Sequence, residues 1–231
     1  VLTGQIAKLS QLEMSPGNIT WSPDGKQIAF TMFKAEKPPV IIKMPTKPTG
    51  ANWAKPARIT DRLKHEADGR GYMKPGFTHV YIIPTQGGTP RQITSGNFNH
   101  SGSLSFSPDN NSIYFSANRV EDWEYDFRNS EVYKVDIYTK DITVLTSQKG
   151  PDFSPKVSPN GKKIAFLGFK DKVQAHQNRV VYLMDSNCPL HTSDAADDPV
   201  RLHPVGLTIS KKKNMLDITY STETCACNES A

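Results

Sequence analysis

The chain has 231 residues, 36% of them apolar, with 17 Pro, 15 Gly and a net charge of +5; this is enough for one large all-β domain or two smaller ones, too apolar for a disordered polyelectrolyte, and rich in turns. No run of about 18 apolar residues is present, so no membrane partner is expected, and no basic-then-apolar leader marks a signal peptide, although a start at Val1 leads us to expect a missing upstream segment. Lys and Arg are scattered singly apart from Lys211, Lys212 and Lys213, which reads as solvated surface, so no nucleic-acid partner is expected.

In chain order, the first predicted element is a hairpin. Trp21 enters it, Ser22-Pro23-Asp24-Gly25 turns it, and Ile28-Ala29-Phe30 leaves with period-two alternation. Pro fixes φ at the first corner, Asp bonds its own backbone, and Gly accepts the left-handed position that reverses the chain. A Pro-rich, polar insertion follows over residues 34–76, reading as an excursion rather than a domain. The chain then resumes as His79-Val80-Tyr81-Ile82-Ile83, turns at Gln86-Gly87-Gly88, and returns through Arg91-Gln92-Ile93-Thr94.

The same pattern then recurs twice. Phe106-Ser107-Pro108-Asp109-Asn110 leads to Ile113-Tyr114-Phe115, and Glu131-Val132-Tyr133-Lys134-Val135 pairs with Thr143-Val144-Leu145-Thr146. Val157-Ser158-Pro159-Asn160-Gly161 leads to Ile164-Ala165-Phe166, and Arg179-Val180-Val181-Tyr182-Leu183-Met184 begins a third second hairpin. Two hairpins per repeat make a four-stranded antiparallel unit. The 51-residue spacing between Ser107 and Ser158 is that of a β-propeller blade, and the insertion explains the longer first spacing. The predicted fold is therefore all-β: about three blades of an incomplete propeller over 1–187, divided near 1–95, 96–147 and 148–187. A blade cannot bury both faces alone, so a piece of a larger ring is expected in preference to closure by oligomerisation.

The Ser-Pro-Asp-Gly-Lys hairpin occurs in many propellers. Taken with Trp53-Ala54-Lys55-Pro56, Arg58-Ile59-Thr60, Ala67-Asp68-Gly69-Arg70-Gly71-Tyr72 and Gly87-Gly88-Thr89-Pro90-Arg91-Gln92-Ile93-Thr94, it resembles the propeller of acylaminoacyl-peptidase-like members of the prolyl oligopeptidase family of serine peptidases. The resemblance implies a C-terminal α/β-hydrolase domain as partner, a peptide substrate, and a propeller that admits short peptides and excludes folded proteins. The catalytic machinery is not expected in this chain, because no Gly-x-Ser-x-Gly string occurs; Gly102-Ser103-Leu104-Ser105-Phe106 is the nearest lookalike. The other reading is a stand-alone WD-like or TolB-type propeller serving as a protein-binding platform.

Two stretches are candidate substrate contacts. Glu121, Asp122 and Glu124 crowd carboxylates beside Trp123 and Tyr125, which suits an ammonium group but equally an acidic solvated loop. Arg70, between Gly69 and Gly71, could stand on the face opposite the hydrolase domain to meet a peptide carboxylate, or simply complete a tight turn. The six histidines show no metal-ligand spacing and no phosphate-cradling glycine loop precedes a helix, so neither metal nor cofactor is expected.

Over residues 188–231 the pattern stops. All three cysteines, Cys188, Cys225 and Cys227, lie there, so the body uses no disulfide. This non-propeller tail is read either as a shift of coding frame near Asn187 or as a divergent or disordered C-terminus. A cytoplasmic location is expected, with periplasmic or secreted as the alternative.

Overall fold

A computed structural model describes residues 4, 6–37, 45–54, 59–174, 176–186, 210–212 and 215–217. The strands, in chain order, are β1 (Pro16–Trp21), β2 (Gln27–Ala35), β3 (Glu66–Ala67), β4 (Gly71–Tyr72), β5 (Gly76–Pro84), β6 (Arg91–Gln92), β7 (Ser105–Phe106), β8 (Ser112–Ala117), β9 (Glu131–Asp136), β10 (Ile142–Val144), β11 (Asp152–Val157), β12 (Lys163–Gly168) and β13 (Val180–Asp185). Two more, β14 (Ser210–Lys212) and β15 (Met215–Asp217), pair with each other; the rest of the expectation for 188–231 lies outside the described residues.

Besides the two-stranded pairs β3-β4 and β14-β15, the described strands form three larger antiparallel sheets, ordered β1-β2-β5-β6, β7-β8-β9-β10 and β11-β12-β13. The third shows three strands among the described residues, where the repeat predicted four. The first strands of the sheets, β1, β7 and β11, contact one another in sequence, while the last strands do not, so the sheets fan out from an axis like blades.

Pairing is the same in every sheet. Phe30, Phe115 and Phe166 stand directly opposite Tyr81, Tyr133 and Tyr182 and stack on them at 5.8, 5.6 and 5.3 Å. Because alternate residues point to opposite faces, Val80, Val132 and Val181 project from the other side of each sheet. The middle sheet is consequently buried on both faces, and all six residues of β8 are inaccessible.

One core lies between the first and second sheets, where Ala29, Val80 and Ile82 meet Phe106, Ile113, Phe115 and Val135. A second lies between the second and third, where Tyr114, Val132 and Leu145 meet Ile164, Phe166 and Met184. Each fully buried aliphatic or aromatic side chain contributes about 1.5–3 kcal/mol to holding neighbouring sheets together. The outer face of the first sheet, Phe30, Tyr81 and Ile83, is covered by Leu9 and Leu12 of the segment before β1.

The three Ser-Pro turns share one hydrogen-bond pattern. In each, the serine hydroxyl accepts from the backbone N–H five residues on, at 2.9 Å, and donates to the side-chain oxygen of Asp24, Asp109 or Asn160. That oxygen in turn accepts from the N–H of Lys26, Asn111 or Lys162 at 3.1 Å. The chain reverses at Gly25, Asn110 and Gly161, with φ of 69°, 62° and 73°, where only Gly or Asn sits without strain. Neighbouring turns touch: Asp24 N–H donates to Asn110 Oδ1 at 3.2 Å, and Gly161 lies against Pro108.

Candidate functional site

Antiparallel order divides the connections between two ends of the fan. The Ser-Pro turns, the β5–β6 turn and the β9–β10 turn lie at one, the turn end. The insertion between β2 and β5, the β8–β9 and β12–β13 loops and the crossings between sheets lie at the other, the loop end.

At the loop end, the insertion is tied down by Arg62. Its guanidinium donates to Gly76 O at 2.9 Å, lies 4.1 Å from the centre of the Phe77 ring and approaches Glu36 at 3.5 Å. The β3–β4 hairpin stands beyond it, held at its base by Met73 N–H donating to His65 O at 2.8 Å and by Tyr72 and Thr60, whose hydroxyls are 2.7 Å apart. Gly69 and Gly71, at φ of 74° and 67°, turn its tip.

The β8–β9 loop winds through successive tight turns, in which Tyr125 N–H and Asp126 N–H both donate to Asp122 O. Trp123 packs edge-on against Phe77 at 6.2 Å, and Glu124 Oε2 accepts from Leu63 N–H at 3.3 Å. These two contacts join the loop to the insertion, and between them opens a cleft of about 520 Å³ lined by Leu63, Lys64, His65, Glu66, Glu124 and Phe127. It offers two carboxylates, one ammonium and an imidazole within an apolar frame.

Of the four candidate contacts, only Glu124 lines this cleft. Glu121 and Asp122 are exposed on the outer side of the same loop. Arg70 is exposed at the hairpin tip, where its N–H donates to Ala67 O at 3.1 Å, the geometry of a tight turn. The cleft residues Leu63, Lys64, His65, Glu66 and Phe127 carry no local sequence signature; Arg62, near the resemblance-bearing Arg58-Ile59-Thr60, was the nearest available marker. Ser103, the lookalike nucleophile, has its hydroxyl 3.4 Å from that of Ser154 and leads into β7.

Between the first two sheets lies a buried polar cluster. His79 and His100 are 4% and 0% exposed, with ring centres 5.3 Å apart. His100 Nδ1 donates to Thr78 O at 3.2 Å, which leaves Nε2 to accept from Arg119 at 2.6 Å, so the ring is neutral. Burial, reinforced by Arg119, lowers His100 to about 3; burial, then Lys34 and Arg119, lowers His79 to about 4.

The family described as "Dipeptidyl peptidase IV (DPP IV) N-terminal region" matches residues 52–167. The uncharacterized peptidase YuxL of Bacillus subtilis (strain 168) is 26% identical over 118 residues, which take in 51% of this chain and 17% of that protein. An acylaminoacyl peptidase solved in complex with Z-Gly-Gly-Phe-chloromethyl ketone superimposes with a TM-score of 0.53 at 15% identity, over 78% of this chain and 25% of its own. The β-propeller domain of the Trilobed protease from Pyrococcus furiosus gives 0.43 at 16% identity, over 75% and 39%. The chain thus spans a minor part of each of these three proteins.

Proposed function

Because the chain belongs to the family of dipeptidyl peptidase IV N-terminal regions, we propose that it is the substrate-gating propeller portion of a serine-type peptidase of the prolyl oligopeptidase family. On this reading an α/β-hydrolase domain outside this chain performs the chemistry, on short or N-acylated peptides.

The observation that carries this reading is the contrast between the two ends. Leu63, Met73, Tyr125, Phe127 and Val173 stand 54%, 38%, 75%, 75% and 78% exposed at the loop end. Within the turns at the other end, Tyr138 is the exposed large apolar residue among those described, and Trp21, at 61%, leads into the first of them. An apolar rim around a cleft is what a face looks like when another domain closes over it and leaves a chamber between. The cleft then receives the end of a peptide that projects from the hydrolase: Glu66 and Glu124 hold a cationic group, and Leu63 with Phe127 an apolar side chain. Exposed Glu121, Asp122 and Arg70 act at the rim, through weaker and more screened electrostatics. The complex of the similar acylaminoacyl peptidase with Z-Gly-Gly-Phe-chloromethyl ketone supports a short, N-blocked peptide as the substrate class.

Two assays test the proposal. Expressed alone, the chain is expected to leave N-acylated and dipeptide chromogenic substrates intact, and turnover that a serine-directed phosphonate abolishes would contradict it. In the full-length peptidase, replacing Tyr125 and Phe127 by Ser is expected to raise cleavage of long peptides relative to short ones. An unchanged ratio removes the gating role from this end.

A further inference from the structure

Where the second and third sheets meet, the chain buries two carboxyl groups with no cation beside them. Glu131 opens β9 at 8% exposure and Asp152 opens β11 at 0%. The junction is stitched around them: Asp152 N–H donates to Ser130 O at 2.7 Å, and Ser130 Oγ donates to Asp152 O at 3.0 Å. The equivalent places in the preceding junction hold the two histidines. His79 faces Met32 as Glu131 faces Ala117, and His100 N–H donates to Thr78 O as Asp152 N–H does to Ser130 O. Arg119 serves that first pair; its counterpart one repeat on is Lys170, which is exposed. Among the described residues neither carboxyl group has an ion pair.

Donors and acceptors do not balance unless a proton is added. Gln148 Nε2 donates to Asp152 Oδ1. The Thr146 hydroxyl gives its single proton to Glu131 Oε2 and accepts from Val132 N–H at 2.9 Å. Asp152 competes for the same hydroxyl proton, which cannot serve both carboxylates at once. Asp152 Oδ2 is left buried without a partner. Two ionised carboxylates in such a place repel each other and lack hydration, whereas one proton on the pair relieves the repulsion and halves the buried charge.

We propose that Glu131 and Asp152 hold one proton between them, a latch that closes the second blade on the third and loosens when alkaline pH removes it.

The surroundings leave the latch uncompensated. On β9, Tyr133 stays neutral, pushed up to about 12 by burial; Arg119, at the end of β8, is turned toward His100 and the Phe98 ring. The β10–β11 connection contributes uncharged Thr146 and Gln148, with Lys149 exposed. From β12, Gly168 presents backbone, and a Cβ there would run into Asp152 Oδ1. Burial pushes Glu131 up to about 8, with Asp152 adding to the rise, and pushes Asp152 up to about 6. The folded chain therefore keeps protons that the unfolded chain releases from about pH 4 upward, so this contribution to stability falls as pH rises and is gone above about pH 8. Above about pH 7.5 the two buried histidines are neutral in both states, which leaves the fall through about pH 8 to the carboxyl pair.

The test compares the wild-type chain with the Glu131→Gln/Asp152→Asn double variant, in which an amide replaces the shared proton. From about pH 7.5 to about pH 9, the thermal midpoint of the wild type is expected to fall while that of the variant stays level. The infrared spectrum of the wild type is expected to show a protonated-carboxyl stretch at the lower pH that vanishes at the higher. Parallel midpoint profiles, or no such band at the lower pH, would overturn the latch. If the double variant does not fold, the wild-type band and the Asp152→Asn profile decide in the same way. Recovery of the alkaline midpoint on adding calcium chloride would assign the pair to a cation and overturn proton sharing.

Discussion

Ser107 is 6% exposed, and its hydroxyl both accepts from Ser112 N–H and donates to Asp109. Ser107→Ala leaves a buried N–H without that acceptor, at a cost of about 1–3 kcal/mol, to be read from urea unfolding. The histidine cluster makes a second prediction at this scale. His79 and His100 have folded values near 4 and 3, below the ordinary 6.5, so the unfolded chain binds their protons first. Their contribution is complete above about pH 7.5 and is lost as pH falls toward the folded values. The carboxyl pair works in the opposite sense over part of this range, so the histidine term is isolated by difference: His79→Phe is expected to flatten the acid limb of the wild-type profile. An equally steep limb in the variant would remove His79 from the account.

Among the elements, the segment before β1 does a job usually left to a neighbouring sheet. Leu9 and Leu12 cover Phe30, Tyr81 and Ile83, and replacing both leucines by Ala is expected to cost about 2–4 kcal/mol in total and to raise binding of a hydrophobic dye. A variant indistinguishable from wild type would mean that the segment does not hold that face. The hairpins were legible because each states itself twice, in the Ser-Pro turn and in the Ile-x-Phe alternation that follows. The register shifts in β1 and β11, between Gly17 and Thr20 and between Phe153 and Lys156, were not. They depend on positive φ at Asn18 and Ser154 and on the reach of Asn18 across to Ser101 O, a contact 83 residues away along the chain. The cleft was hidden for the same reason. Leu63 and Glu124 are 61 residues apart, and only the packing of Trp123 on Phe77 brings them together. Last strands such as β6, only two residues long, are too short to show a period.

At the scale of the molecule, equivalent residues report which faces are complete. Val80 and Val132 are 0% exposed, each covered by the next sheet, while Val181 at the same position in the third is 61% exposed beside Leu183 at 41%. Trp21 is likewise 61% exposed where its counterpart Phe106 is 6%. Among the described residues the third sheet thus presents an uncovered face, and the first leaves Trp21 exposed beside the part that Leu9 and Leu12 close, so the isolated chain is expected to self-associate. Val181→Lys with Leu183→Lys should shift a size-exclusion profile toward the monomer with little loss of stability, whereas Val132→Lys should unfold the chain. Everything rests on the three turns being equivalent corners of neighbouring blades, and a cross-link tests this most directly. In a chain whose native cysteines are replaced by Ser, Asp24→Cys with Asn110→Cys is expected to oxidise readily to an intramolecular disulfide, because the first and second turns touch at these residues. Asp24→Cys with Asn160→Cys, two blades apart, should not. Equal yields from both pairs, or none from the first, would contradict the account.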